Sequence, residues 1–331
     1  MRLSFAPLEG VTVEPYRRVH AAVFGGADDY YTPFYAPSAI GLSKKDLDRI
    51  VFETTDKNSP PTVVQFLANR VSDFCTAVMQ LAERGINEVN LNLGCPSGTV
   101  TGKGRGSGFL AKPDELDRFF DGVFSHFATH APHFKLTVKT RVGFSDEEES
   151  VGLSELYNRY PIAELIIHPR LRSDLYRGKP RMAAYRYMAE HAKMPVCYNG
   201  DIFTVADFER IQTELPNTEH IMIGRGAVAN PALFLAIRGE EIGDFKARLR
   251  IMHDRLVEEN LKVLGSQHFT VCRMADLWAY MVYLFFETPH PFVRDIHHCA
   301  TVGEYKSKIA TLFREHSLRD GARYIPPQKR V

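Results

Sequence analysis

The chain has 331 residues, 44% of them hydrophobic and 24% charged, with a formal net charge of +1. That is the composition of a globular protein with one large domain and room for a smaller one; it excludes a polycation and a low-hydrophobicity disordered chain. Any nucleic-acid contact must come from basic residues gathered on one face.

In chain order, short apolar strands alternate with helical segments. Strands are expected at Leu3–Pro7, Asp29–Pro33, Thr62–Phe66, Glu88–Leu93, Lys135–Thr140, Glu164–His168, Val196–Asn199 and His220–Gly224. Helical patterns lie between them, such as Val71–Arg84, ended by Gly85, and Pro113–Phe127, whose proline suits a first turn. Eight strand–helix units predict an α/β protein, a (β/α)8 TIM barrel. A doubly wound sheet is the alternative, weakened because no GxGxxG follows the first strand. Thr54–Pro61 reads as a loop. Near Gly239–Asp244 the pattern breaks, and helices follow at Phe245–Leu264, Phe269–Phe286 and Val302–Glu315. The expected division is a catalytic barrel over 1–239 and a small helical domain over 240–331. The tail of that domain is basic, through Lys306, Lys308, Arg314, Arg319, Arg323, Lys329 and Arg330. This fits a solvated face, or alternatively a phosphate-backbone contact. Trp278, Tyr280, Tyr283, Phe285 and Phe286 read as core of the helical domain rather than base-stacking platforms.

Five cysteines stand at 75, 95, 197, 272 and 299, with no CxxC and no zinc-finger spacing, so no metal is expected. The scattered, odd set and the strand-like start Met1–Pro7 point to a reducing, cytoplasmic setting. The most apolar stretch, Leu277–Phe286, is too short to span a bilayer.

Polar groups gather where barrel strands end, the usual place of a barrel's active site. They are Ala6-Pro7, Gln65, Asn92 with Cys95, Lys139 with Arg141, His168 with Arg170, Asn199-Gly200-Asp201, and Gly224-Arg225-Gly226. Each alone could be incidental, since strand ends face water; together they form a ring that a purely structural barrel does not need. The last two glycine loops suit an anion, with Arg225 adding charge, or are plain turns. Lys139 and His168 read as a snorkelling lysine and a barrel histidine, or as donors to an electron-rich ring such as a reduced flavin. Gln65 offers an amide donor and acceptor to the pyrimidine edge of such a ring. Cys95 follows a strand and opens the glycine-rich run Gly98–Gly108. That sets it apart from Cys75, Cys197, Cys272 and Cys299, which read as structural.

These residues carry a resemblance. Ala6-Pro7-Leu8-Glu9-Gly10-Val11-Thr12, Asn92-Leu93-Gly94-Cys95-Pro96, Val138-Lys139-Thr140-Arg141-Val142-Gly143, Ile167-His168-Pro169-Arg170-Leu171-Arg172, Asn199-Gly200-Asp201-Ile202 and Met222-Ile223-Gly224-Arg225-Gly226-Ala227 occur in the order found in the dihydrouridine synthases. The chain resembles that family, flavoenzymes that reduce uridine in RNA. The resemblance implies FMN held by Ala6, Pro7, Gln65, Lys139 and His168, with its phosphate on Asn199, Gly200, Asp201, Gly224 and Arg225. It implies NADPH as reductant, Cys95 as catalytic acid and Asn92 facing the substrate base. It also implies transfer RNA as the usual partner, with ribosomal RNA open; nothing in the sequence suggests an obligate oligomer, so a monomer is expected. The pattern departs from the family's at Asn90, Thr99, Val13 and Pro169-Arg170-Leu171, positions that bear on substrate choice rather than on the reacting groups.

The chemistry expected is hydride delivery from flavin N5 to uracil C6 and proton delivery from Cys95 to C5. A thiol of ordinary pKa, about 8.5, is an acid at neutral pH, unless a cation such as Arg170 or Arg172 draws it to thiolate. The base must leave its stack. Loop 98–108, with Lys103 and Arg105, is placed to close over it, and Arg141, Arg170, Arg172, Arg177 and Tyr176 are further substrate-side candidates. Two rival readings are an FMN barrel reductase of a small molecule and an RNA-binding protein without turnover.

Overall fold

The computed structural model describes residues 1–57, 59–288 and 291–326. Lys329, Arg330 and Asn58 lie outside the described residues. Eight strands close into a barrel in sequence order. They are β1 (Arg2–Phe5), β2 (Asp29–Tyr31), β3 (Thr62–Phe66), β4 (Glu88–Leu93), β5 (Lys135–Gly143), β6 (Glu164–Leu171), β7 (Val196–Tyr198) and β8 (His220–Ile223). From β3 to β8 each strand pairs in parallel with the next.

Two strands run past their expected ends. β5 continues to Gly143 and β6 to Leu171, because the ladder resumes at Gly143↔Leu171 after a register shift beyond Arg141. Pro169 sits within β6, where such an irregularity tolerates its missing donor.

The chain groups into two compact units. The first comprises Met1–Ser4, Tyr31–Gly200 and Thr218–Met222. Within it the Val71–Ala82 helix buries Phe74, Cys75, Val78 and Leu81, spaced for one helical face, and the chain turns away at Gly85 with φ +77°. The Pro113–His130 helix starts on its proline and buries Leu116, Phe119, Phe120, Val123 and Phe127. In β4, Val89, Leu91 and Leu93 alternate with the inward polar pair Asn90 and Asn92, and all five are buried.

The second unit comprises Phe5–Tyr30, Asp201–Asn217 and everything from Ile223 onward. Its longest helix, Phe245–Leu264, is capped by the Asp244 side chain and ends on left-handed Gly265. Leu249, Met252, Leu256 and Val257 form its buried stripe. Ser266 and Thr301 cap the helices Gln267–Met281 and Val302–Glu315. Trp278 is fully buried and donates to Tyr305 Oη at 2.9 Å, which places it in the core of this unit. No helix among the described residues is long and apolar enough to cross a membrane. None of them forms a cluster of three metal-ligating side chains either.

Candidate active site

In the first unit, three strands build one line of hydrogen bonds. Asn90 Nδ2 donates to Thr137 Oγ1 at 2.9 Å, and Gln65 Nε2 donates to Asn90 Oδ1 at 2.7 Å. Asn92 Nδ2 donates to Gln65 Oε1 at 2.7 Å. Asn92 Oδ1 then accepts from the backbone of Gly94 at 2.9 Å and Cys95 at 2.5 Å. An amide has two N–H donors and two lone pairs, so Gln65 keeps one of each for a further partner. The line fixes the orientation of every amide and pins the backbone that carries the Cys95 thiol. Asn90 and Thr137 were not among the expected site residues. Their signal was present in β4, where two asparagines two residues apart must share a buried face.

The far side of Cys95 is tied to its own loop. Ser107 donates to Cys95 O twice, from its backbone at 3.0 Å and its hydroxyl at 2.9 Å. A Cβ at Gly106 would meet Cys95 O at 2.7 Å, and one at Gly108 would meet Thr101 O at 2.6 Å, so the loop packs only as glycine. Cys95 itself is half-buried.

Lys139, opposite Asn92 in the ladder, is the unusual group. None of the described residues accepts a hydrogen bond from its ammonium. Burial is the largest influence on its pKa and Arg141 the second, together drawing it from 10.5 to about 8, while Cys197 and Cys95 oppose them. Arg141 is drawn down to about 10, again mainly by burial, and remains a cation at neutral pH. Lys139 and Arg141 both lie within electrostatic reach of Cys95.

The arginines are anchored. Arg141 is fully buried and donates to Gly94 O at 2.6 Å and Leu171 O at 2.7 Å, bracing the strand before Cys95 against the end of β6. Arg170 is also buried and donates to Arg177 O and Gly178 O. Its Nη1 lies 3.2 Å from His168 Nε2. A guanidinium can only donate, so Nε2 accepts and Nδ1 of His168 carries the N–H. Tyr176 is half-exposed, 6.2 Å from the His168 ring, with the Arg141 guanidinium 5.4 Å from its own. Its neighbour Leu175 is the one described non-glycine residue with positive φ, at 54°. Arg172 stacks on Phe144 at 5.4 Å. On β7's end, Asn199 Nδ2 donates to Met222 O at 2.8 Å, and a Cβ at Gly200 would fall 2.0 Å from Tyr198 Oη.

In the second unit, Ala6 N donates to Ile223 O at 2.9 Å, joining the ends of β1 and β8. Beside them, a Cβ at Gly224 would lie 3.2 Å from Leu8 Cδ1. Arg225, expected on a phosphate, is ion-paired to Asp201 at 2.6 Å and lies over Phe203 at 5.6 Å. Pro7 is half-buried.

The family described as Dihydrouridine synthase (Dus) matches residues 4–268. The tRNA-dihydrouridine(16) synthase of Ralstonia nicotianae is 30% identical over 243 residues, 72% of this chain and 73% of that protein. That of Cupriavidus necator is 31% identical over 242 residues, covering 72% and 74%. The tRNA-dihydrouridine synthase B of Pasteurella multocida is 26% identical over 234 residues, covering 70% and 68%. Among solved structures, morphinone reductase aligns with a TM-score of 0.52 at 13% identity, over 73% of this chain and 87% of its own. A 2-naphthoyl-CoA reductase aligns at 0.54 and 9%, over 72% and 50%. At such identities these two share the barrel fold.

Proposed function

The chain belongs to the dihydrouridine synthase family, and from that premise we propose that it is a flavin-dependent oxidoreductase reducing uridine in transfer RNA to 5,6-dihydrouridine. The observation that carries the reading is Lys139: a half-buried ammonium with no acceptor among the described residues, its Nζ 4.0 Å from where a Cβ on Gly94, the residue before Cys95, would stand. Burying a cation is costly unless a partner compensates it, and an electron-rich flavin edge is such a partner.

The residues fit FMN. Lys139 and the Nδ1–H of His168 are donors, and Gln65 keeps a donor and an acceptor free for a pyrimidine edge. Ala6, Pro7, Asn199, Gly200, Asp201, Gly224 and Arg225 are the further positions at which the family resemblance puts the cofactor. Gly200 leaves no room for a side chain and so keeps backbone approachable. When bound, the flavin supplies the hydride for uracil C6, NADPH being the proposed source of electrons.

Everything else falls to this chain's own groups. Asn92 holds the Cys95 backbone, and its second N–H faces the base. Cys95 gives its proton to C5, leaving a thiolate that Lys139 and Arg141 stabilise and solvent reprotonates. Arg141 and Arg170 act by fixing the loops that carry Cys95, Tyr176 and Arg172, which meet the RNA. We place the catalytic barrel at 1–239 and RNA docking in the helices and basic tail of 240–331, in a monomeric cytoplasmic enzyme. The relatives named for position 16 make that uridine the first to assay.

The test is site-resolved mapping of dihydrouridine in RNA from cells with and without the gene. Loss at one transfer-RNA uridine is expected. Loss confined to ribosomal RNA would change the substrate. No loss, from a flavin-binding, NADPH-oxidising protein, would favour a small-molecule reductase.

A further inference from the structure

A cavity of about 660 Å³ opens in the first unit behind the Cys95 loop, lined by Asn69, Lys103, Lys112, Phe144, Arg172 and the backbone of loop 98–108. We propose that this cavity binds a phosphodiester group of the RNA backbone beside the uridine being reduced, and that its occupancy braces the loop presenting Cys95. The proposal rests on the RNA-substrate reading above and names the part of the RNA that loop recognises.

The lining holds three cationic side chains and no carboxylate. Of these, Lys112 is shared with the exposed Glu115 at 3.0 Å. Lys103 has no ion pair among the described residues. Arg172 is the more telling group. Its Nε is buried without a hydrogen-bond partner, and its Nη2 has only a long 3.4 Å approach to Thr101 Oγ1. Phe144 supports the guanidinium plane from one face, and the backbone N–H of Arg172 is fixed on Gly143 O at 3.0 Å. A planar fork held in place with an unused N–H is matched to a phosphate's oxygens.

The wall on the other side is backbone. Gly98, Gly102, Gly104 and Gly108 contribute no side chains, so an anion can come close to the chain. Asn69 Nδ2 holds the loop's tip through Lys103 O at 3.0 Å and Gly104 O at 3.2 Å. The same loop returns through Ser107 to Cys95 O. A phosphate bridging Arg172 and Lys103 would therefore tie β6's end to the loop tip, with Cys95 at the loop's base. A phosphodiester suits the open, multi-cation lining, and RNA is where a uridine carries one on each side.

The test is equilibrium binding of an unmodified tRNA transcript to the purified enzyme at several salt concentrations. Lys103→Gln and Arg172→Gln should each weaken binding severalfold at 0.1 M salt and reduce the slope of log affinity against log salt by about one. Lys135→Gln, the same charge change at the exposed start of β5, should leave the slope as it is. Arg172→Lys should restore the slope and only part of the affinity, since it keeps the charge without the fork. Unaltered slopes in both glutamine variants would overturn the proposal. So would a raised KM for NADPH but not NADH with RNA binding untouched, which would give the cavity to the reductant's phosphate. Binding is read without turnover, so failure of the enzyme to form dihydrouridine would sink the functional reading while these slopes still judged the cavity.

Discussion

At the scale of the residue, Cys95 and Lys139 divide the chemistry. Replacing Cys95 by Ala removes the proposed proton donor, and general-acid catalysis is worth about 10²–10⁴ in rate. Cys95→Ala should lose dihydrouridine formation by that factor in single-turnover assays, and full turnover would reject the assignment. Lys139 makes a pH-dependent prediction about folding. Its folded pKa of about 8 lies below the unfolded 10.5, so the unfolded chain binds more protons between those values. Stability of the flavin-free protein should therefore rise with pH across that window, with the penalty fully present below pH 8. Lys139→Met removes the penalty. It should be more stable than the parent at pH 7, by at most on the order of 3 kcal/mol, and the gap should close above pH 10.5. Urea unfolding at pH 7 and 11 measures both points, and a constant gap would contradict the argument. Asn92, Gln65 and Lys139 stand out in the sequence because each breaks an apolar pattern near a strand end, and Cys95 because it follows one and opens a glycine-rich run. The anchoring of Arg141 and Arg170 was not. Their partners are carbonyls of Gly94, Leu171, Arg177 and Gly178, and no side-chain pattern encodes a carbonyl's position.

Among the elements, all eight strands were readable from short apolar runs, whereas the ends of β5 and β6 were not. A register shift is set by neighbouring strands, and Pro169 signals a break that the irregular ladder absorbs. The opposite ends of the strands carry a network the sequence also concealed. Ser4 in β1 meets His220 Nε2 at 2.5 Å, and His220 Nδ1 meets Glu164 Oε1 at 2.7 Å, all three buried. Glu164 opens β6 and His220 opens β8, positions where an isolated polar residue reads as an exposed strand start. With Ser4 fully buried, the three groups form a structural tie rather than a site. Glu164→Gln should cost about 1–3 kcal/mol, seen as a lower urea midpoint with an unchanged KM for RNA. A variant as stable as the parent would show the tie to be dispensable.

On the scale of the whole molecule, the break at Gly239–Asp244 was legible because glycines end the Leu233–Arg238 helix and relax the turn, with φ +69° at Gly239 and +66° at Gly243. Beyond it the sequence pattern predicts a separate helical domain. Those helices share one compact unit with Phe5–Tyr30 and Asp201–Asn217. Arg18, on the Glu14–Val23 helix, pairs with Glu259 at 2.5 Å, and Phe24 packs edge-on against Phe245 at 5.8 Å. Arg248 donates through Nε and Nη2 to Val23 O. Pairings across more than two hundred residues leave no local periodicity, so a reading along the chain cannot find them. They carry a consequence for any truncation at the break. A fragment of residues 1–239 would expose the face of the Glu14–Val23 helix that Phe245–Leu264 covers, and would strand the Val23 carbonyl and the Phe24 ring. Such a loss removes apolar burial and buried hydrogen bonds together, the combination that unfolds marginal proteins. The fragment should therefore be aggregated, or melt well below the full chain, and the full chain should unfold in one cooperative step. An independently stable 1–239 fragment with its own sharp transition would show that the barrel does not need those helices to fold.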